Sequence, residues 1–195
     1  MGFCSMAIDV TETKNAQVRL HALARFDTLT GLPNRAQLYE RLDMALARSR
    51  RGAPETACLY LDIDHFKSIN DSLGHAAGDE ALREFARRLQ STARKTDLVA
   101  RLAGDEFVIV LEGMDPPRAA TVVAEAVIEA MRAPFLIFGL EMAISTSVGV
   151  AVSNTHDQSA DDLLKRADAA LYSAKRAGRG MFKTSVRSAP GPSEA

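Results

Sequence analysis

Ala81, Leu82, Phe85, Ala86 and Leu89 stand at i, i+1, i+4, i+5 and i+8, so one apolar face at helical period predicts a helix following Gly78. The same spacing predicts helices over Arg35 to Ser49, Pro117 to Met131 and Asp161 to Ala177. Between them, "TACLYLDI" (Thr56 to Ile63) is short, β-rich and bounded by turn residues, as a buried strand would be. "LVARL" and "FVIVL" flank "AGDE", the length and turn content of a hairpin connection. Two further β-like runs cover Pro134 to Phe138 and Glu141 to Val152. The order α, β, α, α, β, β, α, β, β, α predicts an α+β fold, one mainly antiparallel central sheet backed by helices. Residues 1–26 carry a sparse helical pattern at Val10, Val18, Leu20 and Leu23, expected to be a connector helix rather than a domain. Residues 184–195, rich in Ser, Ala, Pro and Gly, are expected to be a disordered tail or a truncated linker.

Composition narrows the partners. At 195 residues and 47% hydrophobic content, one domain with a real core is expected. Lys plus Arg (24) nearly balance Asp plus Glu (25), and a net charge of -1 supplies no field for wrapping nucleic acid or for pinning the chain to an anionic membrane. Any anionic ligand must therefore be held locally. Cys4 and Cys58 give neither a metal-ligand spacing nor a disulfide framework. No apolar run approaches the roughly 18 residues of a membrane span. A cytoplasmic location is expected for this segment, whether or not its parent is attached to a membrane.

The candidate chemistry lies in the acids. Asp62 and Asp64, two apart at a strand end, are expected on one face, with Ile63 pointing into the core. If the "AGDE" turn lies beside this strand, Asp105 approaches Asp62, and two such carboxylates repel unless a cation bridges them. Oxygen-only ligands favour magnesium over zinc, which points to phosphoryl or nucleotidyl transfer. The alternative is that these acids only solubilise a strand end and a turn. Downstream, Lys67 is a point charge fit for a phosphate, Asn70 can donate to and accept from a base edge, and Asp79 can accept from the N1 and N2 donors of guanine. Gly74 and Gly78 let the backbone pass close to a ligand. Against this, Asn70 and Asp79 can equally mark a helix end and a helix start, and His75 an ordinary surface histidine. Lys175 and Arg179, four apart, share a helical face if the helix persists through Gly178, or simply complement a helix dipole.

Four motifs then occur in order: "DTLTGLPNR" (Asp27 to Arg35), "DIDHFKSINDSLGHAAGD" (Asp62 to Asp79), "RLAGDEF" (Arg101 to Phe107) and "ADAALYSAKRAGRG" (Ala167 to Gly180). Together they closely resemble the GGDEF family of diguanylate cyclases, over about residues 24–183, with the domain expected at 27–183. The resemblance implies a palm-like fold of the nucleotidyl cyclase type and condensation of two GTP to cyclic di-GMP with release of two pyrophosphates. It implies that Asp62, the carbonyl of Ile63 and Asp105 hold magnesium, with manganese as a substitute. Asp105 would also be the general base for the 3′-hydroxyl, and Glu106 would support the site or its metal shell. Lys67 would stabilise the reacting phosphates, Asn70 and Asp79 would read guanine with His75 nearby, and Lys175 and Arg179 would clamp phosphates. A homodimer is implied, since each domain presents one GTP to the other. Arg94 and Asp97 in "RKTD" match the family's product-inhibition site for cyclic di-GMP. "IDVTETK" resembles the end of a PAS sensor domain leading into its connector.

One departure stands out: Ala103 occupies the first glycine of the signature. A methyl group disfavours positive φ, so a strained hairpin is expected there if that position needs it. The rival readings are a domain that binds GTP or cyclic di-GMP without turnover and regulates an attached phosphodiesterase, and an enzyme of relaxed base choice. Retention of the acids and of Lys67 speaks against the first, and Asp79 against the second.

Overall fold

The computed structural model describes residues 23–113, 116–154, 157 and 159–185. The expected connector over 1–26 lies almost entirely outside the described residues, as does the tail beyond 185. Helix α1 (Arg35–Ser49) starts at Asn34, whose side chain accepts from the Gln37 amide. Strand β1 (Ala57–Ile63) leads to the short helix α2 (Phe66–Leu73) and then to α3 (His75–Thr92). Strands β2 (Leu98–Ala103) and β3 (Glu106–Leu111) form the expected hairpin, followed by α4 (Pro116–Arg132). The chain closes with β4 (Phe135–Ile137), β5 (Leu140–Met142), β6 (Thr146–Val152), α5 (Ala160–Arg176) and β7 (Phe182–Thr184).

The central sheet has the order β2-β3-β1-β6-β7, antiparallel throughout except for the β6–β7 pair. The α+β expectation is therefore met. Alternation along the strands sends Leu59, Leu61, Phe107, Ile109, Val148 and Val150 to one face, where Phe85 and Leu89 of α3 and Ala124 and Val127 of α4 cover them. Phe85 and Phe107 meet with ring centroids 4.9 Å apart. The other face carries Cys58, Ala100, Val108, Val110 and Ala151 under Leu38, Leu42 and Leu46 of α1 and Leu163 and Ala167 of α5. Burial pushes the Cys58 thiol up to about 12, so it acts as a small core hydrophobe.

Three local differences from the sequence reading have physical reasons. Helix α3 begins at His75 rather than after Gly78, because Gly74, at φ 82, makes the break and Gly78 is interior. The run expected over Glu141 to Val152 splits at residues 143–145: the turn at Phe138 and Gly139, both at positive φ, pairs its first residues with β4 in a separate two-stranded sheet, while β6 joins the central sheet. Strand β7 is three residues long after a glycine-rich turn, too short to show a period.

Gly149 fixes how closely one helix layer sits. A Cβ there would lie 2.0 Å from the Ala167 carbonyl oxygen and 2.2 Å from the Leu171 nitrogen, so α5 rests directly on β6. That contact carries the last turn of α5 over the end of β1.

Candidate active site

Asp62 is opposite Glu106 in the β1–β3 ladder, so the two acids share a face where β1 ends and the hairpin begins. Asp105 occupies the β2–β3 turn after Gly104. Burial pushes the Asp62 carboxyl up; the Lys175 ammonium opposes this, and the nearby Asp105 charge reinforces it. Lys175 Nζ, in the last turn of α5, donates to Asp62 Oδ2 at 2.7 Å. The Asp105 charge thus acts on Asp62, and a cation of the protein's own lies beside it.

Asp64 has a different setting from Asp62. It is 5% exposed, and its carboxylate accepts from Ser145 Oγ and Ser147 Oγ, each at 2.7 Å, and from the Gly180 amide at 3.0 Å. Lys175 and Arg179 differ from expectation. Helix α5 ends at Arg176, Gly178 takes φ 127, and Arg179 sits in the following turn at φ 65, so no single helical face carries both.

The Asn70 region is built by close packing. A Cβ on Gly78 would meet Asn70 Oδ1 at 2.0 Å, so only glycine in α3 admits that amide against the helix. Asp79 follows it, half-buried; His75, the first residue of α3, and Lys67, in the first turn of α2, are exposed. These four residues and Asn70 thus all belong to the α2–α3 segment that directly follows the acidic end of β1.

Arg94 and Asp97 do not join this group. They form a turn ahead of β2, with Asp97 Oδ2 accepting from the Arg94 amide at 2.8 Å, while the hairpin lies beyond the other end of the strand, roughly 20 Å away at strand rise. Asp97 Oδ1 is buried with no hydrogen-bond partner among the described residues.

The strain expected at Ala103 is absent. Ala103 is not among the positive-φ residues and pairs with Glu106 beside a bulge; Gly104 takes the positive φ, 53°.

Two residues escaped the sequence reading. Arg101 donates to the Gly104 carbonyl through Nε (2.9 Å) and Nη2 (2.7 Å) and to Asp27 Oδ1 through Nη1 (2.8 Å), so the turn is clamped from below. Tyr60, two residues before Asp62 on the same face, hydrogen-bonds Glu106; burial first, then the Glu106 and Asp168 charges, push its phenol up. The available signal was alternation alone, which puts Tyr60 and Asp62 on one side.

As a metal site the donor set is hard and sparse. Among the described residues no group of three or more His, Cys, Asp or Glu gathers as a cage. The Asp62 carboxylate near the Asp105 charge, with the Ile63 carbonyl next in sequence, is a set of oxygen donors of the kind that suits a hard, oxygen-seeking cation.

The model of the family described as "Diguanylate cyclase, GGDEF domain" matches residues 24–181. The chain belongs to the GGDEF family. Among curated GGDEF relatives, the bifunctional diguanylate cyclase/cyclic di-GMP phosphodiesterase MucR of Pseudomonas aeruginosa is 41% identical over 172 residues, 88% of this chain and 25% of its own length. Diguanylate cyclase TpbB of the same species is 42% identical over 158 residues, 80% of this chain and 36% of its own. The structure of the isolated TpbB GGDEF domain superimposes with a TM-score of 0.79 at 40% identity, covering 83% of this chain and 94% of that one. DgcB of Caulobacter crescentus, solved with cyclic di-GMP, superimposes with a TM-score of 0.79 at 31% identity, over 90% of this chain and 93% of its own. The chain spans about a quarter of the length of the first curated relatives, 22% to 26%. No helix among the described residues is long and apolar enough to cross a membrane.

Proposed function

We propose that this GGDEF domain is a diguanylate cyclase, joining two GTP into cyclic di-GMP with release of two pyrophosphates. The observation that carries the reading is the grouping at one sheet end of Asp62, on which the Asp105 charge acts, and Lys175, whose ammonium lies 2.7 Å from it. Asp62, Asp105 and the Ile63 carbonyl would hold magnesium, or manganese in its place, which would supply charge neutralisation on phosphate oxygens.

The chain's own residues do the rest. Asp105 accepts the proton of the attacking 3′-hydroxyl, whose oxygen bonds to the α-phosphorus of the second GTP while pyrophosphate leaves. Lys67, Lys175 and Arg179 hold phosphate charge, and Glu106, oriented by Tyr60, supports the acids. Asn70 and Asp79 read the guanine edge, with His75 nearby. Each domain brings one GTP, so two copies must face each other and the rate depends on their association. Cyclic di-GMP is taken at Arg94 and Asp97, away from the reacting centre, and inhibits. DgcB, a relative solved with cyclic di-GMP, supports a binding capacity of this kind. The domain works in the cytoplasm, where GTP is available.

The test is incubation of the purified chain with GTP and magnesium at several protein concentrations, with products resolved by chromatography and mass. Cyclic di-GMP whose specific rate rises with protein concentration supports the reading, and Asp105→Ala should abolish it with the fold intact. GTP or cyclic di-GMP binding by a dimer that makes no product would replace it with the receptor-module reading.

A further inference from the structure

Asp62 and Asp64 stand two apart on the same strand end and have different surroundings. Asp62 faces Lys175 and Asp105, whereas Asp64 is buried among neutral donors from two distant segments. A buried carboxylate is expensive unless its oxygens accept hydrogen bonds, and Asp64, with no basic partner among the described residues, accepts three. Its backbone amide adds a fourth tie, donating to the Ser145 carbonyl at 2.9 Å.

Among the described residues, three other than glycine have positive φ: His65 (58°), Phe138 (50°) and Arg179 (65°). Two of them flank one hydrogen bond. His65 follows Asp64, and Arg179 precedes Gly180, whose amide donates to the Asp64 carboxylate. A side chain in the left-handed region costs about 1–2 kcal/mol and persists only where its surroundings over-determine it. His65 is also the residue from which α2 departs with Lys67 and Asn70. Arg179 ends the turn that follows Lys175.

Packing does little to fix that turn from outside. A Cβ on Gly178 would find only Met181 Cε, at 3.8 Å, and one on Gly180 only Ser145 Cβ, at 4.0 Å. Gly180 also helps line a cavity of about 330 Å³ with Ser145 and with Ile128, Met131 and Arg132 of α4. The turn is instead held by hydrogen bonds: Arg179 N donates to the Ala174 carbonyl (3.2 Å) behind, Gly180 N to Asp64 at the centre, and Val148 N to the Met181 carbonyl (3.0 Å) ahead.

We propose that Asp64 is a positioning residue for substrate phosphate: it locks the turn that carries Arg179 onto the strand end from which α2 departs, so both sides of the nucleotide site keep one spacing. Asp64 itself touches no substrate, and the proposal rests on the reading of Arg179 as a phosphate-binding group. Ser145 and Ser147 are part of the device, since their hydroxyls fix the carboxylate that receives the Gly180 amide.

The test is a double-mutant cycle on binding of a slowly reacting α-thio analogue of GTP with magnesium. Arg179→Ala alone should weaken binding about tenfold or more, the scale of a lost charge-assisted hydrogen bond, and Asp64→Asn alone should do the same. In the Arg179→Ala background, Asp64→Asn should add less than about twofold, because it has nothing left to position. Independent effects that multiply would overturn the positioning role while leaving Arg179 as a phosphate ligand. No loss with Arg179→Ala would overturn the phosphate reading itself. Should Asp64→Asn not fold, Ser145→Ala removes one support of the carboxylate without touching its charge. It should weaken binding less, again only while Arg179 is present; equal weakening with and without Arg179 would overturn the proposal.

Discussion

Asp27 and Arg101, far apart in sequence, form an ion pair with Nη1 2.8 Å from Oδ1, and the same guanidinium grips the Gly104 carbonyl with its other nitrogens. Both side chains are mostly buried, and the Arg101 amide also donates to the Pro33 carbonyl at 2.9 Å. The loop before α1 thereby holds the turn that presents Asp105. Lysine in place of Arg101 keeps the charge and loses the planar fork, so it cannot serve Asp27 and Gly104 together. Arg101→Lys should lower stability by about 1.5–3 kcal/mol, the range for hydrogen bonds to charged groups, and reduce turnover at least tenfold. Urea unfolding and a product assay check both, and unchanged turnover would show that the clamp has no part in placing Asp105.

The acid partner gives a pH signature. Burial alone would raise the Asp27 carboxyl, but bonds from the Thr30 hydroxyl and Arg101, with the Thr30 amide, outweigh it and hold the group below its ordinary value of 3.8. A depressed folded-state value means that the unfolded chain takes up protons first. The stabilisation is therefore full above about pH 4 and is lost as pH falls through the folded value. Asp27→Asn should be less stable than the parent at pH 7 and at pH 5, with the gap narrowing only near pH 3. A gap that is the same at all three would exclude a charge-based role.

Much of this was legible because strands and helices announce themselves by period, and acids at a strand end announce themselves by their cost. The helix Arg35–Ser49 and the hairpin around "AGDE" needed only local patterns. Contacts between distant segments left no such trace: nothing in the spacing of Asp27 and Arg101, or of Asp64 and Gly180, says that they meet. The helix through Lys175 stops early because Gly178 takes φ 127, a conformation that a glycine permits without requiring. The β-like run through Gly149 gave no sign that α5 lies directly on it, because the contact is with Ala167 and Leu171, well downstream.

Gly78→Ala separates a packing glycine from one that serves Asn70. Alanine gains about 1 kcal/mol of helix propensity over glycine, but its methyl group would lie 2.0 Å from Asn70 Oδ1 and displace the amide. Stability should change by less than about 1 kcal/mol, since the gain and the displacement offset each other. Affinity for GTP should fall about tenfold or more, as for a lost base-edge pair, with the preference over ATP reduced. An unaltered preference would remove Asn70 from guanine recognition.

Arg94→Ala should relieve inhibition by cyclic di-GMP without changing the initial rate, because the turn it shares with Asp97 lies at the end of β2 remote from the hairpin. Asp97 Oδ1, buried and without a hydrogen-bond partner among the described residues, is the oxygen a ligand donor would satisfy. Progress curves with added product decide the matter. Curves that flatten equally in both proteins would place the inhibitory contact elsewhere.

The alanine in the signature is tested by exchanging roles within the turn. Ala103 is exposed with an unstrained backbone, whereas Gly104 holds φ 53 with open space around it. Restoring glycine at 103 relieves no strain and adds freedom to the unfolded chain, so Ala103→Gly should lower stability by about 0.4–1 kcal/mol and leave turnover within twofold. Gly104→Ala meets no steric block but must adopt the left-handed region, at a cost of about 1–2 kcal/mol, and the turn can relax only by moving Asp105. That variant should lose most of its activity at a modest loss of melting temperature. If instead Ala103→Gly raised turnover severalfold, the first glycine would matter for approach of the nucleotide rather than for the turn.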